Sequence, residues 1–247
     1  MSEQVQTQAV HKTPLVAHLV ELRRRMMIAC FVIVAGAGAC YLFKEQVFLF
    51  LVRPLAGASN PPLQMIYTGV PELFFTYLRL SFFTGLFVAL PIILWEIWAF
   101  VAPGLYKNER RVIAPFIAAT PVLFYAGGSF MYFIVMPLAM SFFFGFQTDT
   151  ITALPSVKEY LAFLIKMLFA FGFAFELPVL LLLLMKFGVV SVGAVKRFRR
   201  YAIVCIFIAS ALLTPPDPVS QLILAVPLVL LYELSIFMAK FLRIKDK

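Results

Sequence analysis

Residues 160–185 read YLAFLIKMLFAFGFAFELPVLLLLLM, an apolar run interrupted only by the charged residues Lys166 and Glu176. A helix needs about 20 predominantly apolar residues to cross a bilayer, so this run is long enough to span one. Similar runs lie on both sides of it, and the whole sequence is 63% hydrophobic with a mean hydropathy of +0.97. Soluble domains are roughly half apolar. The sequence therefore predicts an integral membrane protein.

The apolar runs predict an all-α fold with six transmembrane helices. Their approximate limits are 26–43, 78–101, 112–138, 160–185, 201–213 and 221–239, between a cytoplasmic arm (1–25) and a cytoplasmic tail (240–247). The fifth run holds only about 13 apolar residues, so it is either a short span in a thinned bilayer or a re-entrant segment. A shorter apolar piece, 47–52, is expected to lie along the membrane interface.

The basic residues predict the orientation of the chain. If the N-terminus is cytoplasmic, the six spans place 16 Lys and Arg side chains on the cytoplasmic face and 4 on the opposite face. Cytoplasmic loops carry such an excess, so both termini are expected inside the cell. The net charge of +9 then belongs to these loops. Nucleic acid is therefore not an expected partner.

The sequence lacks the patterns of several enzyme classes. It holds no GxxxxGK[ST] nucleotide loop, no HExxH pair and no CxxC pair. Its two histidines, His11 and His18, precede the first apolar run, so two histidines cannot ligate a haem inside the membrane. These absences predict a protein that is not an enzyme and has no metal or cofactor.

Glu176 is the acidic residue placed deepest in an apolar run. A charged side chain at the bilayer centre costs about 2.5–3.5 kcal/mol, and such residues usually face a bundle interior or a water-filled hollow and carry function. The structural alternative is a neutral Glu176 bonded to a backbone carbonyl that Pro178 leaves free. A functional alternative is a proton relay in a secondary transporter or channel, although the internal repeat typical of transporters is not found. Glu96, near the cytoplasmic end of the second run, is a second membrane-embedded polar residue.

Two further carboxylates, Glu21 and Glu109, are expected at the cytoplasmic face. Together they suit a cationic ligand, and arginine best, because its planar fork binds carboxylates through two hydrogen bonds. The alternative is a surface ion pair: Glu21 with Arg24 or Arg25 one turn on, and Glu109 with Arg110.

Polar residues also flank the last run. Asp217 precedes Pro218, an arrangement typical of a helix N-cap followed by proline at the first helical position. Gln221 lies near the membrane edge, where such groups bond across helices for about 0.6 kcal/mol on average. Lys166, inside the fourth run, is expected to extend its ammonium group to the membrane surface.

Four motifs in a fixed order carry a resemblance to a known family. They are 18–25 (HLVELRRR), 95–111 (WEIWAFVAPGLYKNERR), 171–178 (FGFAFELP) and 213–221 (LTPPDPVSQ). In these motifs the chain resembles the TatC family, the multi-spanning receptor subunit of the twin-arginine protein translocase. No motif is decisive alone, but the four in order are specific and span almost the whole chain.

The resemblance implies six helices in a concave, glove-like arrangement in the inner membrane of a bacterium. It implies binding of twin-arginine signal peptides of folded proteins, an oligomeric complex with single-span TatA and TatB subunits, and transport driven by the proton-motive force. The implied signal-peptide residues are Glu21, Glu109, Arg23 and Leu105. Glu176 corresponds to the family's buried glutamate, and the partner-docking surface is expected around Thr214, Asp217 and Gln221.

Overall fold

The computed structural model describes residues 13–56, 64–101, 107–148, 153–214 and 218–241, and the structural statements below concern these residues. They form helices α1 (Thr13–Leu42), α2 (Lys44–Ala56), α3 (Glu72–Val101), α4 (Lys107–Phe130), α5 (Met136–Phe144), α6 (Val157–Phe175), α7 (Leu177–Lys186), α8 (Val192–Leu213) and α9 (Pro218–Phe241). A π-helical turn, Met131–Val135, joins α4 to α5. The prediction of an all-α fold is confirmed.

Five helical stretches of the described chain are long and apolar enough to cross a membrane. They are His18–Leu42, Glu72–Phe100, Ala114–Phe144, Val157–Lys186 and Pro218–Phe241. α8 is not among them, because its first turns carry the basic residues of 196–200. The described chain therefore has the helices expected of a multi-spanning membrane protein, and the sixth crossing stays a prediction.

α8 and α9 form an antiparallel hairpin. The Gln221 side chain donates to the carbonyl of Phe207 at 2.9 Å, and the Tyr232 hydroxyl donates to the carbonyl of Val195 at 2.7 Å. The two contacts lie 12 residues apart on α8, about 18 Å along a helix. α8 thus runs beside a candidate span over much of its length.

α1 packs along α3 at very short distance, and Gly85 permits this approach. A Cβ atom at Gly85 would clash with the backbone nitrogen of Ala37 and lie 2.6 Å from its Cα atom. α1 contributes no buried residue over its most apolar 18-residue stretch. The surface of α1 that does not contact α3 is consequently free to face lipid or another protein.

α2 packs on the core with one face, and the membrane-interface position expected of residues 47–52 stays a prediction. Leu51 and Leu55 are buried against the other helices. Pro54 has no N–H group, so the carbonyl of Phe50, four residues earlier, lacks its helical donor. The Tyr132 hydroxyl donates to this carbonyl, and the Tyr132 and Phe50 rings stack at 4.7 Å.

A second carbonyl freed by proline, in α3, also accepts a hydrogen bond from a tyrosine. Pro91 frees the carbonyl of Phe87, and the Tyr125 hydroxyl of α4 donates to it at 3.2 Å. Prolines that would weaken isolated helices therefore provide the acceptors that bind neighbouring helices together. Helix breaks in membranes are tolerated when such partners are supplied.

The fourth apolar run is divided into two helices at Glu176. α6 ends at Phe175 and α7 begins at Leu177, with Pro178 in its first turn. Leu164 and Phe171 of α6 and Leu182 of α7 are buried in the shared core. The break leaves Glu176 at the junction between two well-packed helices.

Candidate functional site

A cluster of charged side chains links α1 to α3 at the end where α3 finishes. Glu21 and Arg25 lie one turn apart on α1, and Glu96 lies on α3. Arg25 Nη2 and Nε donate to Glu21 Oε1 at 2.6 and 3.1 Å, and Arg25 Nη1 donates to Glu96 Oε2 at 3.0 Å. One guanidinium therefore bridges two carboxylates, and these three side chains carry a net charge of −1.

The cluster borders a hollow of about 370 Å³, lined by Val20, Glu21, Arg24, Arg25, Ile28 and Glu96. The side chains of Glu21, Arg25 and Glu96 are 34%, 23% and 16% exposed, so the carboxylates are reachable but partly desolvated. Partial desolvation strengthens the attraction between opposite charges. The arrangement is suited to hold a guanidinium group.

The structure describes the other three predicted signal-peptide residues to different extents. Arg23 is exposed and forms no ion pair with any side chain that the structure describes. Glu109 lies in the first turn of α4, although its side chain is outside the described part. Leu105 lies outside the described residues. Since α4 begins close in sequence to the end of α3, the backbone of Glu109 is at the same end of the bundle as Glu96.

His18 adds a contact that the sequence did not indicate. Its ring stacks on Phe100 with centroids 4.3 Å apart and planes inclined by 17°. The contact fixes the start of α1 against the end of α3. It thereby helps to position Glu21, which lies less than one turn along α1.

Glu176 is half-buried at the break between α6 and α7. The Thr120 side chain and the backbone N–H of Phe124, both on α4, face its carboxyl group. The Thr120 hydroxyl donates to the carbonyl of Phe116 at 3.1 Å, and Glu176 Oε1 is buried without a hydrogen-bond partner. The bond to a carbonyl freed by Pro178, considered as an alternative, is thus not made by this oxygen.

The residues expected at the partner-docking surface lie at the end of α8 and the start of α9, and Gln221 alone of those described bonds across the hairpin. Thr214 ends α8, and its hydroxyl donates to the carbonyl of Ser210 at 2.8 Å. Gln221 makes the cross-helix bond to Phe207 described above, as its position near the membrane edge suggested. Asp217 lies outside the described residues.

Lys166 has a partner that sequence reasoning did not identify. Its side chain is exposed, and Nζ donates to the carbonyl of Leu212 in the last turn of α8 at 3.2 Å. A cation at a helix C-terminus satisfies a carbonyl without an intrahelical donor and complements the helix dipole. Lys166 therefore ties the end of α8 to α6.

The link between Arg25 and Glu96 was also missed, although a signal for it existed. Both residues lie near the end of an apolar run that is predicted to be cytoplasmic, Arg25 just before the first run and Glu96 in the second. Opposite charges at one depth on neighbouring helices are expected to pair. The sequence does not show that α1 packs against α3, and this fact is needed to predict the pair.

Comparison with known proteins identifies the family. The family model described as Sec-independent protein translocase protein (TatC) matches residues 17–227. The protein of that name from Magnetococcus marinus is 52% identical over 93% of this chain and 84% of its own length. The one from Haemophilus influenzae is 38% identical over 94% of this chain and 91% of its own length.

A solved structure extends the match to three dimensions. The crystal structure described as the twin arginine translocase receptor TatC superposes with a TM-score of 0.79 at 38% identity. The match covers 91% of this chain and 98% of that one. The family match, the shared helical fold and the bacterial relatives agree, and we conclude that this chain belongs to the TatC family of Sec-independent protein translocase components.

Proposed function

We propose that this protein is the receptor and core subunit of a twin-arginine translocase in a bacterial inner membrane, with both termini in the cytoplasm. Its ligands are the twin-arginine signal peptides of folded export substrates. The solved relative is described as a twin arginine translocase receptor, which supports this assignment. The family is that of a protein-translocase component and not of an enzyme.

The observation that carries the proposal is the geometry around Glu21. Its carboxylate already accepts two hydrogen bonds from a guanidinium, that of Arg25. An arginine of the signal peptide takes the same position, because a planar fork with several donors fits a carboxylate in a way that a lysine ammonium does not. Specificity for arginine over lysine follows from this fit.

The two carboxylates that hold Arg25 make the exchange feasible. When a ligand arginine occupies Glu21, Arg25 retains Glu96, to which Nη1 is bonded at 3.0 Å. Arg25, which is partly desolvated, is then not left without a partner, a state that would be costly. Glu109, at the start of α4, supplies the carboxylate for the second arginine of the pair.

The deeper residues have later roles in this proposal. Glu176, half-buried at a helix break and with one buried carboxyl oxygen unpartnered, supplies the membrane-embedded polar group that acts when the signal peptide inserts. The α8–α9 hairpin around Thr214 and Gln221 receives the single-span TatA and TatB subunits. Transport by the assembled oligomer draws on the proton-motive force.

The test is binding of a twin-arginine signal peptide and of its twin-lysine version to the purified, folded protein with its partner subunits. We expect a strong preference for arginine. Glu21→Ala and Glu109→Ala should each weaken binding about tenfold or more, because a hydrogen bond to a charged group is worth roughly 1.5–3 kcal/mol. Membrane insertion of the receptor should persist in both variants.

A matched control is Glu159→Ala, since Glu159 is exposed and lies in the first turn of α6, away from the cluster. Its binding should equal that of the wild type. Equal binding of both peptides to the wild type would refute the receptor assignment. Proton-flux measurements on Glu176 variants would then test the transporter alternative.

A further inference from the structure

A second hollow lies between α3 and α6, at the end of α3 remote from Glu96. Its volume is about 340 Å³, and it is lined by residues of the segment before α3 and of the first turns of both helices. Arg79 on α3 and Lys158 on α6 both line it. Arg79 and Glu96 are 17 residues apart on α3, about 25 Å along the helix, so the two hollows are separate.

The one carboxylate among the lining residues, Glu72, is already engaged. Glu72 Oε2 accepts from the backbone N–H groups of Thr68 and Gly69 at 2.9 and 3.1 Å and from the Thr68 hydroxyl at 3.1 Å. Glu72 Oε1 accepts from the Ser156 hydroxyl at 3.3 Å. These bonds hold the segment before α3 in place, and they direct the carboxylate away from an ion pair.

Arg79 and Lys158 consequently remain without a counter-ion in the part of the chain that the structure describes. Glu159 follows Lys158 but does not line the hollow, and it forms no ion pair with either cation. Arg79 lies about 10 Å inside the start of α3, within a candidate span. A cation at that depth requires an anion or contact with the headgroup region.

Most of the remaining lining is apolar. Leu161 and Ile165 line the hollow about one and two turns further along α6 than Lys158, and Phe75 on α3 is 61% exposed. A ligand that satisfies the whole hollow therefore has an anionic head beside an aliphatic body. Phospholipids of the surrounding bilayer have this chemistry.

We propose that this hollow binds an anionic phospholipid, with Arg79 and Lys158 on its phosphate and an acyl chain along the wall that Ala162 and Ile165 form on α6. Arginine binds phosphate through paired hydrogen bonds, and basic pockets between membrane helices hold anionic headgroups. Two cations and the Glu72 carboxylate leave the hollow with one net positive charge. This balance favours a lipid of net negative charge over a zwitterionic one.

The proposed test is native mass spectrometry of the purified full chain with phosphatidylglycerol or phosphatidylcholine added at equal concentration. The wild type should retain phosphatidylglycerol at least about fivefold more than phosphatidylcholine. The double variant Arg79→Gln/Lys158→Gln should lose this preference. Lys44→Gln, which removes a cation stacked on Tyr41 outside the hollow, should keep it.

Two further measurements distinguish a lipid phosphate from free phosphate, and a loss of charge from a loss of folding. The charge-conserving double variant Arg79→Lys/Lys158→Arg should keep the preference if the charges matter. Displacement of phosphatidylglycerol by millimolar inorganic phosphate would overturn the lipid assignment, because the hollow would then be a free-anion site. Equal retention of both lipids by the wild type, or an unchanged preference in the Gln double variant, would also overturn it. Twin-arginine peptide binding is independent of these outcomes.

Discussion

Arg25 is the residue whose contacts connect the fold to the proposed ligand. It crosslinks α1 to α3 through Glu21 and Glu96, and at the same time it occupies the carboxylate proposed for the signal peptide. A site whose competent state is only partly populated shows a weaker apparent affinity. Arg25 should therefore act as a competitor that the ligand displaces.

Arg25→Gln tests this competition. We expect the dissociation constant for a twin-arginine peptide to fall about two- to fivefold, because a partly exposed ion pair is worth up to about 1 kcal/mol. Arg24→Gln is the matched control, since Arg24 lines the same hollow and its loss changes the net charge equally without freeing Glu21. Weaker binding by Arg25→Gln in a peptide titration would show instead that Arg25 positions Glu21.

The proposed role of Glu176 belongs to a later step than arginine recognition. Glu176→Ala should leave the affinity for the twin-arginine peptide within about twofold, because Glu176 lies on the break between α6 and α7 and the arginine cluster lies on α1 and α3. We expect it to reduce crosslinking of the peptide's apolar segment to the receptor in assembled complexes. Glu176→Gln, which keeps a polar group in the break, is the matched variant. Normal insertion in Glu176→Ala would contradict this role.

At the scale of elements, the pairing of α1 with α3 depends on Gly85. Gly85→Ala places a methyl group against the backbone of Ala37, which cannot move aside as a side chain can. Overpacking of this kind costs about 1–3 kcal/mol. The added methyl group should push α1 and α3 apart and lower the Tm in detergent. Peptide binding should weaken as well, because Glu21 lies on α1 and Glu96 on α3.

Gly38→Ala is the control for this prediction. No heavy atom outside its own helix lies within 4 Å of a Cβ atom at Gly38, and alanine favours helices more than glycine does. Its Tm should be unchanged or slightly higher. A Gly85→Ala protein as stable as Gly38→Ala would mean that α1 does not approach α3 so closely.

The elements also show how far a sequence of this kind can be interpreted. Long apolar runs predict helices because each backbone group in lipid must be paired within its own segment. The same rule does not reveal which side chain satisfies a carbonyl freed by proline. The bond from Tyr125 to Phe87 joins positions 38 residues apart, and it depends on the packing of α3 against α4.

The candidate site was predictable to a similar extent. Glu176 was proposed because an acidic residue deep in an apolar run is costly, and Glu21 because, with Glu109, it places two carboxylates at one membrane face. The pairing of Glu21 with Arg25 was among the alternatives considered. The second partner of Arg25, Glu96, and the partner of Lys166, the carbonyl of Leu212, are distant in sequence and were not identified. Depth in the membrane can be deduced from sequence, whereas the neighbours of a helix cannot.

At the scale of the whole molecule, the number of crossings is set by α8. Its antiparallel contacts with α9 and the bond from Lys166 to its last turn favour a helix that traverses the bundle. A re-entrant α8 would instead return the chain to the side from which it came. The connection between α8 and α9 is therefore outside the cell if α8 crosses the membrane, and in the cytoplasm if α8 is re-entrant.

Cysteine labelling in intact cells distinguishes them. In a chain with Cys30, Cys40 and Cys205 replaced by serine, a membrane-impermeant maleimide should label Val70→Cys and Val219→Cys from outside, because both positions are exposed and follow an outward crossing. Lys196→Cys should react only after permeabilisation, since basic loops stay in the cytoplasm. If Val219→Cys behaves like Lys196→Cys, α8 does not cross and the C-terminus is outside. If Lys196→Cys alone reacts in intact cells, the whole orientation is reversed, and Glu21 would face away from cytoplasmic signal peptides.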